Sequence, residues 1–125
     1  MYTVAVKTDF SAQHFLVGGD WGTENQKHTH HYEIEVLLTG DSLNEHGYLL
    51  DIDEIKSELS RVTSYFGGST FNELPEFHGI NPSIEHIARI IHGMLFGRFS
   101  DSRISGACVK IWEDAAAWAS YTKEH

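Results

Sequence analysis

The stretch His28-Thr29-His30-His31-Tyr32-Glu33-Ile34-Glu35-Val36-Leu37-Leu38-Thr39 decides the fold. In an extended chain, His28, His30, Tyr32, Ile34, Val36 and Leu38 share one face, and His31, Glu33 and Glu35 lie on the other. The segment therefore reads as a strand with one face toward a core. Upstream, Tyr2, Val4, Val6, Thr8 and Phe10 repeat the same period and predict a first strand. Between the two, GGDWGTENQK from Gly18 to Lys27 is rich in turn residues and reads as a loop.

Downstream, Asn44 to Gly47 is a predicted turn, and Tyr48 to Asp51 a short extended piece entering a helix. Ile52, Ile55, Leu59 and Val62 follow helical spacing, with Asp51 or Asp53 as N-cap. A second helix starts after Pro82, capped by Asn81 or Ser83, with Ile84, Ile87, Ala88, Ile91 and Leu95 as its apolar stripe. Phe66 to Ile80 between them is irregular, and strands are expected near Ala107 to Trp112 and Ala117 to Tyr121. The order β-β-(β)-α-α-β-β predicts an α+β domain over residues 1–125, with helices on one face of an antiparallel sheet.

Composition narrows the function classes. The 125 residues suit one domain, and 41% apolar content supports a core. A net charge of −9 argues against a nucleic-acid or anionic-membrane partner. No apolar run approaches the ~18 residues of a membrane span, and MYTVAVKTDF lacks the pattern of a signal peptide. The one cysteine, Cys108, excludes an intrachain disulfide and fits a cytoplasmic location. Cys108 itself, in a predicted strand, reads as a small buried residue.

Nine histidines are many for this length, and their placement carries the signal. His28 and His30, two apart in a strand, project from the same side. His14, just past the first strand, comes close if the two strands form a hairpin-like unit. Three imidazoles with an open fourth position form the arrangement of a catalytic zinc. On spacing alone, His-x-His is equally open to being a chance feature of a His-rich segment. His31, His46, His78, His86, His92 and His125 read individually as surface or interface residues.

The motifs, taken in order, resemble a family. Phe10-Ser11-Ala12-Gln13-His14, Lys27-His28-Thr29-His30-His31-Tyr32 and Gly47-Tyr48-Leu49-Leu50-Asp51 are similar to patterns of the 6-pyruvoyl-tetrahydropterin synthase / 6-carboxytetrahydropterin synthase family. Asn72 to Pro75, Asn81-Pro82-Ser83-Ile84-Glu85 and Val109-Lys110-Ile111-Trp112-Glu113 continue the resemblance over nearly the whole chain. It implies a tunnelling fold (T-fold): a four-stranded antiparallel sheet backed by two helices. It also implies assembly into an oligomeric ring, a homohexamer of two trimers with sites between subunits. The implied activity is a zinc-dependent lyase on 7,8-dihydroneopterin triphosphate, serving tetrahydropterin, queuosine or folate synthesis. The implied metal ligands are His14, His28 and His30, and Glu113 stands where a carboxylate anchors the pterin ring.

Two departures bear on catalysis. The family's catalytic cysteine, four residues before the first histidine of the pair, is here Glu24. A glutamate can also move protons, and one branch that carries it resembles a route to 6-hydroxymethyl-dihydropterin. The family's Asp-His relay falls on Gly67 and Gly68, which cannot transfer a proton. Ile84 stands where a hydroxyl residue commonly meets the pterin, leaving Ser83 as the nearer donor. Lys27 is the cation placed to meet an anion, while Arg61, Arg89, Arg98 and Arg103 read as solvated. The alternative reading is a catalytically impaired paralogue that binds zinc and a pterin or purine-like ligand without turnover.

Overall fold

The computed structural model describes residues 1–99 and 101–124. Strand β1 (Tyr2–His14) and strand β2 (His28–Gly40) pair antiparallel along their full lengths. Helices α1 (Ile52–Phe66) and α2 (Ile84–Leu95) follow, then strands β3 (Gly106–Trp112) and β4 (Trp118–Glu124). The sheet is antiparallel throughout in the order β1-β2-β3-β4. His125 lies outside the described residues.

Alternation decides which face the helices cover. Phe10 and Ala12 of β1, Tyr32, Ile34, Val36 and Leu38 of β2, and Ala107, Val109 and Ile111 of β3 are all buried. Against them lie Ile55, Leu59, Val62 and Phe66 of α1 and Ile87, Ala88, Ile91 and Leu95 of α2. Each Val, Leu, Ile or Phe side chain among them removed from water stabilises the fold by about 1.5–3 kcal/mol. Ile52, expected in the apolar stripe of α1, is instead exposed, while Ile55 three residues on is fully buried.

The opposite face is charged. Lys7 pairs with Glu33 at 2.8 Å and sits over the Trp112 ring at 4.7 Å. Lys110 lies 3.9 Å from Glu35 and over the Trp118 ring at 4.3 Å. Cys108 belongs to this open face, partly exposed and not buried as its residue type suggests, because β3 turns its even positions away from the helices.

Caps and turns resolve the open alternatives. The Asp51 carboxylate accepts from the Asp53 amide at 2.9 Å, and the Ser83 hydroxyl from the His86 amide at 3.2 Å. Tyr48 to Asp51 forms no strand. The Asn44 side chain instead accepts from the His46 and Tyr48 amides, folding the segment into a turn that buries Leu49 and Leu50. Arg61 and Arg103 are not free surface cations: Arg61 binds Glu58 and the Met94 carbonyl, and Arg103 pairs with Asp101.

β1 and β4 are the sheet's edges. Residues 68–70 run along β1 near its end, where the Gly68 amide donates to the Ser11 carbonyl and the Gln13 amide to Ser69, each at 2.8 Å. From Tyr2 to Phe10, the outer side of β1 has no sheet partner among the described residues. No helix among the described residues is long and apolar enough to cross a membrane.

His92 is a core residue, contrary to the surface expectation. Its Nε2–H donates to the Ala107 carbonyl at 3.1 Å, and its ring stacks on Phe96 at 4.9 Å and meets the Tyr121 ring at 5.0 Å. Burial pushes its pKa below 6.5, opposed by the Ala107 carbonyl and aided by Lys123. The unfolded chain then takes up this proton at higher pH than the folded one. The stability contributed is present above the unfolded value and is lost as pH falls toward the folded one. Urea midpoints of metal-free protein should therefore drop from about pH 7.5 to about pH 5.5, and drop less in His92→Leu. An equal drop in the variant would show that His92 is not the group responsible.

Candidate metal centre

β1 ends and β2 begins on a directly opposed pair, His14 and His28. His30, on the same face of β2, lies opposite Ala12, whose single methyl leaves room for the rings of His14 and His30 to approach to 4.7 Å. Nε2 of His28 lies 3.1 Å from Nε2 of His14 and 2.8 Å from Nε2 of His30. Glu24 Oε2 joins them, 3.1 Å from His28 Nε2 and 3.7 Å from His14 Nε2. One ligand atom from each of the four residues falls within 4.8 Å of the others.

The donor chemistry fits a cation. The Gln26 carbonyl, 2.7 Å from His28 Nδ1, can only accept, so Nδ1 carries the proton and Nε2 offers its lone pair to the cluster. Nitrogen ligands at about 2.0–2.1 Å from a tetrahedral zinc stand roughly 3.3 Å apart, near the 3.1 Å and 2.8 Å that separate His28 Nε2 from those of His14 and His30. His14 is buried, and its pKa is lowered by desolvation first and then by His30 and His28, against the opposing effects of Glu24 and the Pro82 carbonyl. A neutral ring is the form that ligates a metal.

Side-chain amides fasten the loop that carries Glu24. Asn72 accepts from the Phe15 amide at 3.0 Å and donates to the Phe15 carbonyl at 2.9 Å. Asn81 grips Val17 in the same double way, at 2.9 and 3.0 Å. Asn25 donates to the carbonyls of Leu16 and Gly19 and accepts from the Trp21 amide, and the Leu16 amide donates to the Glu24 carbonyl. Glu24 thus sits on a short 3-10 turn, Gly22–Asn25, tied back to the end of β1.

Glu113 lies at the tip of β3, half-buried, with its amide donating to the Ala117 carbonyl. Its charge reaches Tyr32, whose phenol is pushed far above its ordinary pKa by burial first, then Glu113 and Glu24. Ser83 spends its oxygen on capping α2 and keeps its hydroxyl proton to donate. Lys27 stands 3.9 Å from Glu73, exposed. Sequence reasoning left Gln26, Tyr32 and Asn72 without roles in the site, and took Asn81 only as a candidate helix cap, a place that Ser83 fills. Tyr32, Asn72 and Asn81 sit inside the motifs it singled out, but their hydrogen-bond partners are distant in the chain.

A family model for 6-pyruvoyl tetrahydropterin synthase matches residues 3–124. The chain belongs to this family. No curated protein matches it. Among solved structures, Caenorhabditis elegans 6-pyruvoyl tetrahydropterin synthase is similar at TM-score 0.84 and 22% identity, over 98% of this chain and 96% of that one. Plasmodium vivax 6-pyruvoyltetrahydropterin synthase, in a variant whose catalytic glutamate is replaced by cysteine, matches at TM-score 0.82 and 16% identity, over 99% and 98%. Burkholderia thailendensis dihydroneopterin aldolase bound to guanine shares the architecture at TM-score 0.54 and 10% identity, over 99% and 91%. The T-fold expected of the family is the fold observed.

The departure at Gly67-Gly68 is built into the backbone. A Cβ on Gly67 would meet the Thr63 carbonyl oxygen at 2.7 Å, and Gly68 has φ +76°. Restoring the family's residues by Gly67→Asp with Gly68→His should cost roughly 1–3 kcal/mol per strained position and should not create a relay. An unchanged unfolding midpoint in the double variant would contradict this.

Proposed function

We propose that the chain is a zinc-dependent lyase acting on 7,8-dihydroneopterin triphosphate. The observation that carries the reading is the meeting of three Nε2 atoms and the Glu24 carboxylate within one family fold. His14, His28 and His30 would hold the cation. Imidazole donors suit zinc among the divalent metals. When bound there, it would polarise the substrate's side-chain hydroxyls and ease removal of the neighbouring protons.

Glu24 is the group we assign to take such a proton, because its Oε2 lies beside the ligand nitrogens, 3.1 Å from His28 Nε2. In the Plasmodium vivax relative the catalytic residue is itself a glutamate, which supports a glutamate in that role here. Glu113 would receive the pterin's paired N–H donors on its two oxygens, with Ser83 as a further donor. The product class, 6-pyruvoyl, 6-carboxy or 6-hydroxymethyl, follows from which side-chain bond breaks. A cytoplasmic location is part of this proposal, and so is a homohexamer of two trimers, which is supported by the outer sides of β4 and of β1 from Tyr2 to Phe10, without a sheet partner among the described residues.

Zinc-loaded protein incubated with 7,8-dihydroneopterin triphosphate should yield a new pterin by mass spectrometry. Glu24→Gln should lower turnover by about 10²–10⁴-fold while zinc content stays the same. Turnover surviving in that variant would remove Glu24 from the role of base. Light scattering should find the ring intact after chelation, since edge pairing does not involve the histidines; monomers would contradict that.

The glycines at positions 67 and 68 favour a second reading, in which zinc and a pterin bind without turnover. Unchanged substrate, with tight binding that fails in Glu113→Ala, would select it.

A further inference from the structure

Tyr32 is fully buried, yet it carries a hydroxyl. The one hydrogen-bond partner of that hydroxyl among the described residues is Nδ1 of His14, at 2.9 Å. The phenol ring cannot swing away from it. Phe10 stacks on one side with centroids 5.5 Å apart, and Phe71 meets it edge-on at 5.7 Å. Packing of the aromatic core therefore sets the position of the oxygen, and the oxygen, together with the Pro82 carbonyl, holds the His14 ring.

Nδ1 of His14 faces Tyr32 while Nε2 faces the cluster. A neutral imidazole has one N–H and one lone pair, so Nε2 can ligate only in the tautomer with the proton on Nδ1. The Gln26 carbonyl enforces that tautomer at His28. A tyrosine oxygen can either donate or accept, so at His14 it permits both tautomers and stabilises the ligating one by accepting.

We infer that Tyr32 is a positioning residue for the metal centre, accepting the His14 Nδ1 proton so that Nε2 presents its lone pair at a fixed angle. The inference rests on the proposal that the histidines bind a cation. Partners of this kind typically contribute 10–100-fold in metal affinity. Tyr32 also follows His30 on the same face of β2 and feels the charge of Glu113, so it joins the histidine cluster to the expected pterin anchor.

Tyr32→Phe keeps the ring and its packing and removes only the oxygen. Zinc affinity, measured by competition with a chromophoric chelator, should fall about 10–100-fold in the variant. The ligand-field absorption of the cobalt-loaded protein should change, while the melting temperature of the metal-free protein stays within a few degrees. Equal affinity and an identical cobalt spectrum would overturn the inference.

Should Tyr32→Phe fail to fold, ring-nitrogen NMR of the zinc-loaded wild type decides. A slowly exchanging Nδ1–H on His14 with contacts to the Tyr32 ring is expected. An Nε2–H tautomer, or Nδ1–H contacts to Pro82 alone, would overturn it. A wild-type protein that takes up neither zinc nor cobalt would count against the metal proposal itself.

Discussion

The register of β1 against β2 is the constraint on which the rest depends. His14 faces His28 because thirteen consecutive pairs lock the two strands from Tyr2↔Gly40 onward. A slip of β2 by one residue would turn Tyr32, Ile34, Val36 and Leu38 to water and put His28 and His30 on the face opposite His14. The apolar alternation that buries the core therefore also aims the imidazoles, and the candidate site comes from the same pattern as the fold.

Burial and chemistry meet along one row of β2. Ile34, Val36 and Leu38 are sealed under the helices, Tyr32 closes the core, and His30 and His28 emerge progressively toward solvent. Phe10, Phe66, Phe71 and Phe77 form an aromatic floor beneath this end of the sheet. A rigid floor holds the rings close despite the electrostatic cost of like groups in contact. The asparagine clamps complete the arrangement from the loop side, where no repeating pattern of hydrogen bonds could do it.

The glycine pair at 67 and 68 shows how a departure from a family pattern becomes structural. The segment leaves α1, places the Gly68 amide on Ser11, and runs beside β1. Its path uses a left-handed residue and a close approach to Thr63. Glycines at these two positions let the backbone dock along the sheet edge.

Periodicity was enough to read both long strands, both helices and the α+β class, because burial on one face repeats every two or every 3.6 residues. The pairing of His28 with His30 follows from strand geometry alone. Other features needed partners far away in the chain. Tyr48 to Asp51 reads as extended until the Asn44 side chain is seen to fold it, and His92 reads as surface until β3 and β4 cover it. Glu24 lies in a loop without period, so only the ties to Leu16 and Asn25 bring its carboxylate to the histidines. The sequence by itself determined which faces are buried and which residue types could bind a cation. The tertiary structure decided which of them meet, because convergence depends on register and loop fastening, and neither repeats locally along the chain.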